Sequence, residues 1–222
     1  KVSGVASNGN SPNGGLTTGG AKVTFSNALV FTAQITSEIG VDERAHVTLL
    51  QSFLGSAAIA KPNINLNALG LGFGNQNEYL TLARIFEDIG VSAYGGAAYL
   101  LTTPAVIQTA ARILATEAQH VGTLHTQIAR LNIPSPVLDG ADLVPPPTGG
   151  QLQYLSLNPS NGLPALRSVP QVLNLAYGGA GKTSGAFFPN GINGAFAGTA
   201  SSAPATSANL ATLPAGFAPA PA

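Results

Sequence analysis

Two Glu-x-x-His pairs constrain this chain more than any other feature: Glu43–His46 in "DERAH" and Glu117–His120 in "TEAQH". Residues three apart share one face of a helix. Around the first pair, Ile35, Ile39, Glu43, His46, Leu50 and Phe53 recur at steps of three and four, and around the second so do Val106, Ala110, Ile113, Glu117, His120, Leu124 and Ile128. Such a recurrence is the apolar stripe of a helix facing a core, so both pairs belong inside. A third segment, Leu80, Ala83, Glu87, Gly90 and Tyr94, turns Glu87 inward in the same way. Only 8% of the 222 residues are charged. Yet the stretch "EIGVDERAH", residues 38–46, holds three acids, an arginine and a histidine. A chain so sparing with charge concentrates it where an interior site needs it.

Helices are expected over 27–54, 76–94 and 104–131. Each inward acid then lies near the middle of its helix, and packing the helices side by side brings Glu43, Glu87 and Glu117 to a common level. An unneutralised carboxylate is costly to bury. Three carboxylates with His46 and His120 form a hard, oxygen-rich donor set that suits iron or manganese. One Glu-x-x-His alone is most often an ordinary helix surface; two, on different helices and both on apolar stripes, reverse that reading.

Ser26 or Asn27 is expected to cap the first helix and Gly55 to close it. The second should break near Gly95-Gly96, and Thr103-Pro104 opens the third with proline in its first turn. This divides the chain into an irregular segment 1–26, a helical domain 27–131, an irregular wrapping segment 132–194 and an Ala/Pro/Ser-rich tail 195–222. Residues 55–75 can span about 65 Å, more than the roughly 42 Å of a helix over 27–54. The first two helices can therefore run parallel, while the short break before residue 104 makes the third antiparallel to the second.

The formal net charge is zero, without the basic patch of a nucleic-acid binder. No apolar run is long enough to span a membrane, and there are no cysteines to form disulfides or thiolate metal sites. With no methionine in the chain, a segment upstream of Lys1 is expected to have been removed. "AYGGAGKT" (176–183) fits a loose phosphate-loop pattern, but the Gly and Pro that follow forbid the required helix. His125 is expected to be a partly exposed polar residue away from the acidic cluster, and Glu38 to be solvated or paired with an arginine. Arg84 and Arg112 are candidate partners for buried acids. Core packing is the expected role of Tyr79, Tyr94 and Tyr99.

The two Glu-x-x-His pairs with an added inward Glu resemble the ferritin-like superfamily of di-metal four-helix bundles. "DERAH" is similar to the Asp-Glu-x-x-His signature of di-iron carboxylate proteins. That resemblance implies that Asp42 accepts a hydrogen bond from His120 and orients its ring, whereas Thr116 occupies the matching place in the other motif. "SEIGVDERAHVTLLQSFLG", "ARIFEDIGVSAYGGAAYLL", "ATEAQHVGTLHTQIARL" and "FFPNGINGAF" resemble the desiccation-related branch, over roughly residues 18–200.

The resemblance implies an all-α fold, a ferritin-like four-helix bundle whose first helix is missing from this chain. It also implies a di-iron or di-manganese cofactor held by Glu43, His46, Glu87, Glu117 and His120, and stress-linked oxygen or peroxide handling in an extracellular or periplasmic setting. Whether there is catalysis stays open. A fourth element should cover the bundle: a helix from the same gene product, a segment of a neighbouring subunit in a homo-oligomer, or the 150–222 region folding back. The rival expectation is an extracellular structural protein that self-assembles through its tails, with any metal structural.

Overall fold

The protein is described here by a computed structural model covering residues 14–194 and 196–205. Three long helices dominate: α1 (Val30–Leu54), α2 (Gln76–Ala97) and α3 (Pro104–Arg130). A short helix, α4 (Val169–Tyr177), follows within the wrapping segment. The strands among the described residues, β1 (Thr17–Thr18) and β2 (Ile64–Asn65), are two residues each and pair in parallel. The fold is helical, as the periodicities require.

Local chemistry sets the helix starts. Asn75 sits in extended backbone, and its side chain accepts from the amides of Asn77 and Glu78, both at 3.0 Å. This satisfies two donors that α2 itself leaves without partners. Glu78 reaches back to the amides of Gly72 and Gly74 at 3.2 and 3.0 Å. Pro104 lies in the first turn of α3, where its missing N–H costs nothing. The entry to α1 differs from the expected side-chain cap. Ser26 caps nothing, a 3-10 turn (Asn27–Leu29) leads into the helix, and the Ser26 amide donates to the Gln76 side chain at 2.8 Å.

That contact also fixes topology. The head of α1 stands beside the head of α2, where Phe25 and Tyr79 meet edge to face at 5.6 Å. Near the tail of α3, Gln127 accepts from the Thr32 hydroxyl at 3.0 Å and Arg130 donates to Thr32 at 3.3 Å. So α1 and α2 run parallel and α3 runs antiparallel to both. Helix α3 packs closely on α2 and touches α1. At this lower end Ile39, Leu80, Leu124, Ile128 and Ile133 form the core, with Phe25, Ile35, Ala83 and Leu131 against it. Beyond Ile39 no residue of α1 is buried, and Val41, Leu49, Phe53 and Leu54 are exposed. The described part of the 150–222 region folds back onto α2 and leaves the upper half of α1 open.

Two expectations need correction. The second helix does not break at Gly95-Gly96 but continues to Ala97. These glycines serve close packing: a Cβ on Gly96 would collide with the carbonyl oxygen of Arg167, and one on Gly95 would press into Leu166. The wrapping segment is not wholly irregular either. Ser168 and Gln171 form a capping box, Pro170 sits in the first turn, and Gly178 closes α4 at φ 72°. Leu173 and Tyr177 of α4 build a small second core with Ala200. The Ser-x-x-Gln signature was present in the sequence, but the surrounding prolines and glycines hid it.

The join between the wrapping segment and α2 makes a direct prediction. Gly96→Ala should destabilise the protein by about 1–3 kcal/mol, the usual cost of forcing an atom into a packed site. Equilibrium denaturation checks this, and an unchanged midpoint would mean the segment is not seated on α2.

Candidate metal centre

Helices α1, α2 and α3 carry their inward polar side chains to one level just above the core. One ligating atom each from Glu43, Glu87, Glu117 and His120 can be chosen so that all lie within 4.8 Å of one another. His120 points Nδ1 into the cluster, 3.3 Å from Glu87, 3.5 Å from Glu43 and 4.0 Å from Glu117. Its other nitrogen, Nε2, lies 3.1 Å from Asp42 Oδ2. Asp42 thus fixes the ring so that Nδ1 faces inward. His46 stands at the edge of the group, with Nδ1 3.0 Å from Glu117 and 3.4 Å from Glu43. It has no counterpart of Asp42, because the Thr116 hydroxyl turns back to the Arg112 carbonyl at 3.2 Å.

Burial makes this group electrostatically tense. Glu117 is pushed up from 4.5 to about 9, first by burial and then by its hydrogen bond to Glu87 and the charges of Glu87 and Glu43. Burial by itself would lower His120. The Glu43 carboxylate 3.5 Å away, the hydrogen bond to Glu87 and its charge, and the hydrogen bond to Asp42 outweigh that and lift it from 6.5 to about 10. The metal-free cluster therefore relieves its own repulsion with protons, one on Glu117 and one on His120. Tyr94, raised to about 12 by burial and then by Glu117 and Glu43, stays a neutral phenol beside the group.

Two atoms show what the protons leave undone. Glu43 Oε1 and His46 Nδ1 are buried without a hydrogen-bond partner, although His46 Nδ1 and Glu117 Oε1 are only 3.0 Å apart. The pair approaches without the alignment a hydrogen bond needs. Unpartnered buried polar atoms beside a cluster of carboxylates and an imidazole match the donor set of a transition-metal site. The residues present fit a metal. Glu43 is the exception in burial, with its side chain 44% exposed against 7 or 8% for Glu117, His120 and Glu87. It faces the open upper part of α1.

Other candidates fall elsewhere. His125 is fully buried, not partly exposed: Nε2 lies 2.8 Å from Asp88, and Nδ1 lies 3.1 Å from the Gln153 carbonyl. The reason is the wrapping segment, which packs over a helix face that the sequence alone leaves to solvent. Arg84, also fully buried, pairs with Asp88 at 3.2 Å and Asp142 at 2.7 Å. Glu38 and Arg112 are exposed. In the phosphate-loop lookalike, the Gly178, Gly179 and Gly181 amides already bond to carbonyls, and Lys182 donates to the Gly178 carbonyl at 2.8 Å. It has no free cradle for an anion.

A family model for the ferritin-like domain matches residues 14–130. That is more than half of the chain, and the chain belongs to this family. A search of curated proteins gives no match, and neither does a search of solved structures. No helix among the described residues is long and apolar enough to cross a membrane.

The proton inventory predicts a pH dependence. Glu117 holds in the folded state a proton that the unfolded chain releases near 4.5. Its contribution to stability is complete below that value and is lost as pH rises toward about 9. His120 has the same sign: complete below 6.5, lost as pH rises through about 10. The melting temperature of metal-free protein should fall across this window. Metal loading near neutral pH should release about two protons and flatten the slope, as calorimetry and pH-stat titration can measure.

Proposed function

We propose that this ferritin-like protein binds a pair of transition-metal ions, iron or manganese, through Glu43, His46, Glu87, Glu117 and His120. The observation that carries this reading is the unpartnered pair Glu43 Oε1 and His46 Nδ1 beside a cluster of inward carboxylates. Glu43, Glu87, Glu117 and His120 would hold such ions from one cluster within 4.8 Å, with His46 beside it. When bound, such a pair of ions supplies Lewis acidity and one-electron chemistry suited to dioxygen or peroxide. The chain's own groups hold the donors in place: Asp42 orients His120, and Glu117 and His120 give up their protons as the metals enter. Neutral Tyr94 lies close enough to feel the charges of Glu117 and Glu43. A stress-linked role in handling oxygen or peroxide is the physiological setting this chemistry suits.

The open upper half of α1 supports a second component of the proposal. A helix from outside the described residues, from the same gene product or a neighbouring subunit, would cover Val41, Leu49 and Leu54 and close the side where Glu43 is exposed. Ferritin-like centres take a Glu from each of two helices besides the two Glu-x-x-His pairs. Glu87 is one, and the covering helix would bring the other. Comparing native with denatured mass of the isolated protein tests this. A bound peptide or second copy is expected, and a bare monomer would count against it.

The metal assignment is tested by titrating metal-free protein with Fe(II) or Mn(II) and measuring bound metal and melting temperature. About two ions per chain should bind and raise the melting temperature by several degrees. Glu43→Ala and His120→Ala should each abolish at least one ion and most of that rise. Unchanged metal content in both variants would overturn the assignment.

A further inference from the structure

We propose that Gly90 leaves a seat beside Glu117 for a small exogenous ligand of the metal centre, of the size of azide, peroxide or dioxygen, and sets the size limit of that ligand. The inference rests on the metal reading above and adds to it a residue that decides what the bound metal can accept.

Glycine is, after proline, the least favourable residue for a helix interior, so each one inside a helix asks for a reason. Helix α2 holds three, Gly90, Gly95 and Gly96. The last two are explained by packing, since a Cβ on them would run into Leu166 and the Arg167 carbonyl. Gly90 has neither of the usual reasons. Its backbone is helical and not left-handed. Outside its own stretch of helix, a Cβ built on it would meet one atom within 4 Å among the described residues, Glu117 Oε2 at 3.6 Å. That is an ordinary contact distance. Alanine would fit there and would favour the helix, so what glycine supplies at this position is space.

The space opens onto the cluster. Glu87 lies one turn before Gly90 and Tyr94 one turn after it, so the three share a face of α2. Glu87 and Glu117 both belong to the candidate donor set, and Glu117 Oε2 lies 4.0 Å from His120 Nδ1. Tyr94 is close enough to feel the charges of Glu117 and Glu43. The remaining interior glycines of the long helices lack this relation. A Cβ on Gly40 would meet the end of Arg44, and one on Gly122 would meet Leu155. Gly90 is thus the position whose missing side chain would stand against a donor carboxylate. Glu87 and Tyr94 bound the seat along α2, and Glu117 bounds it from α3. A gap of one side chain's width admits a small ligand and rejects a bulkier one by direct clash.

The test separates ligand size from metal binding. Iron-loaded ferric protein is titrated with azide and, separately, with fluoride, followed by its absorption spectrum, and bound iron is counted in every sample. Fluoride is monatomic and needs little room. Gly90→Ala should weaken azide binding about tenfold and Gly90→Val further, with fluoride affinity and iron content unchanged. Metal-free Gly90→Ala should melt no lower than wild type, whereas Gly96→Ala melts lower, because only the second glycine is required by packing. Unchanged azide affinity in both Gly90 variants would overturn the seat. So would an equal loss of azide and fluoride, or the loss of a bound peptide or second copy from the native mass, which would make Gly90 part of a helix contact instead. Should Gly90→Val fail to fold, Gly90→Ala decides with the same two ligands. Wild-type protein that binds iron keeps the metal reading standing whatever azide does, and wild-type protein that binds none overturns both.

Discussion

The whole arrangement rests on the repulsion among three carboxylates held together in a poorly solvated interior. Glu43, Glu87 and Glu117 cannot all stay charged and unpartnered at this separation without a cation or protons between them. Burial and the neighbouring carboxylates raise Glu117 and those carboxylates raise His120, so both favour holding a proton, while Glu43 Oε1 and His46 Nδ1 have no hydrogen-bond partner. Three helices of modest apolar packing are thus organised around a site that costs free energy to assemble. Under the proposed metal reading a bound ion would return that free energy, and two of its five donors, Glu43 and His46, would come from the long helix with the fewest contacts of its own.

That helix is α1. Its lower third packs inward through Thr32, Thr36 and Ile39, and no residue of its upper half is fully buried. The cluster lies at the boundary between the two, with the closed half positioning the donors and the open half exposing Glu43. Between α2, α3 and the wrapping segment a second polar group, Arg84, Asp88, His125 and Asp142, is enclosed. The two groups use adjacent residues of one helix, Glu87 and Asp88, which meet His120 and His125 of α3 respectively. One holds the residues proposed to bind metal, and the other ties the wrapping segment to α2 and α3.

The sequence disclosed the parts of this that depend on local spacing. The recurrence of apolar residues every three or four positions located α1, α2 and α3 and the inward face of Glu87. Asp42 was legible only through its likeness to a known signature, and it lies against His120. What was not legible depended on long-range contact. Gly95-Gly96 looks like a helix break in isolation and becomes a packing notch only because Arg167 comes back against it. His125 looks solvated on its helix because nothing local says that residues 150–156 cover it. The capping box of α4 was readable in principle, but its prolines and glycines argued for a loop.

The central claim is that the inward carboxylates and imidazoles form a two-metal site. Anomalous diffraction from crystals of metal-loaded protein, collected at the iron or manganese absorption edge, tests it most directly. Two peaks roughly 3.5–4 Å apart should appear among Glu43, Glu87, Glu117 and His120, with His46 turned toward one of them. Loaded crystals with no anomalous peak in that volume would contradict the account.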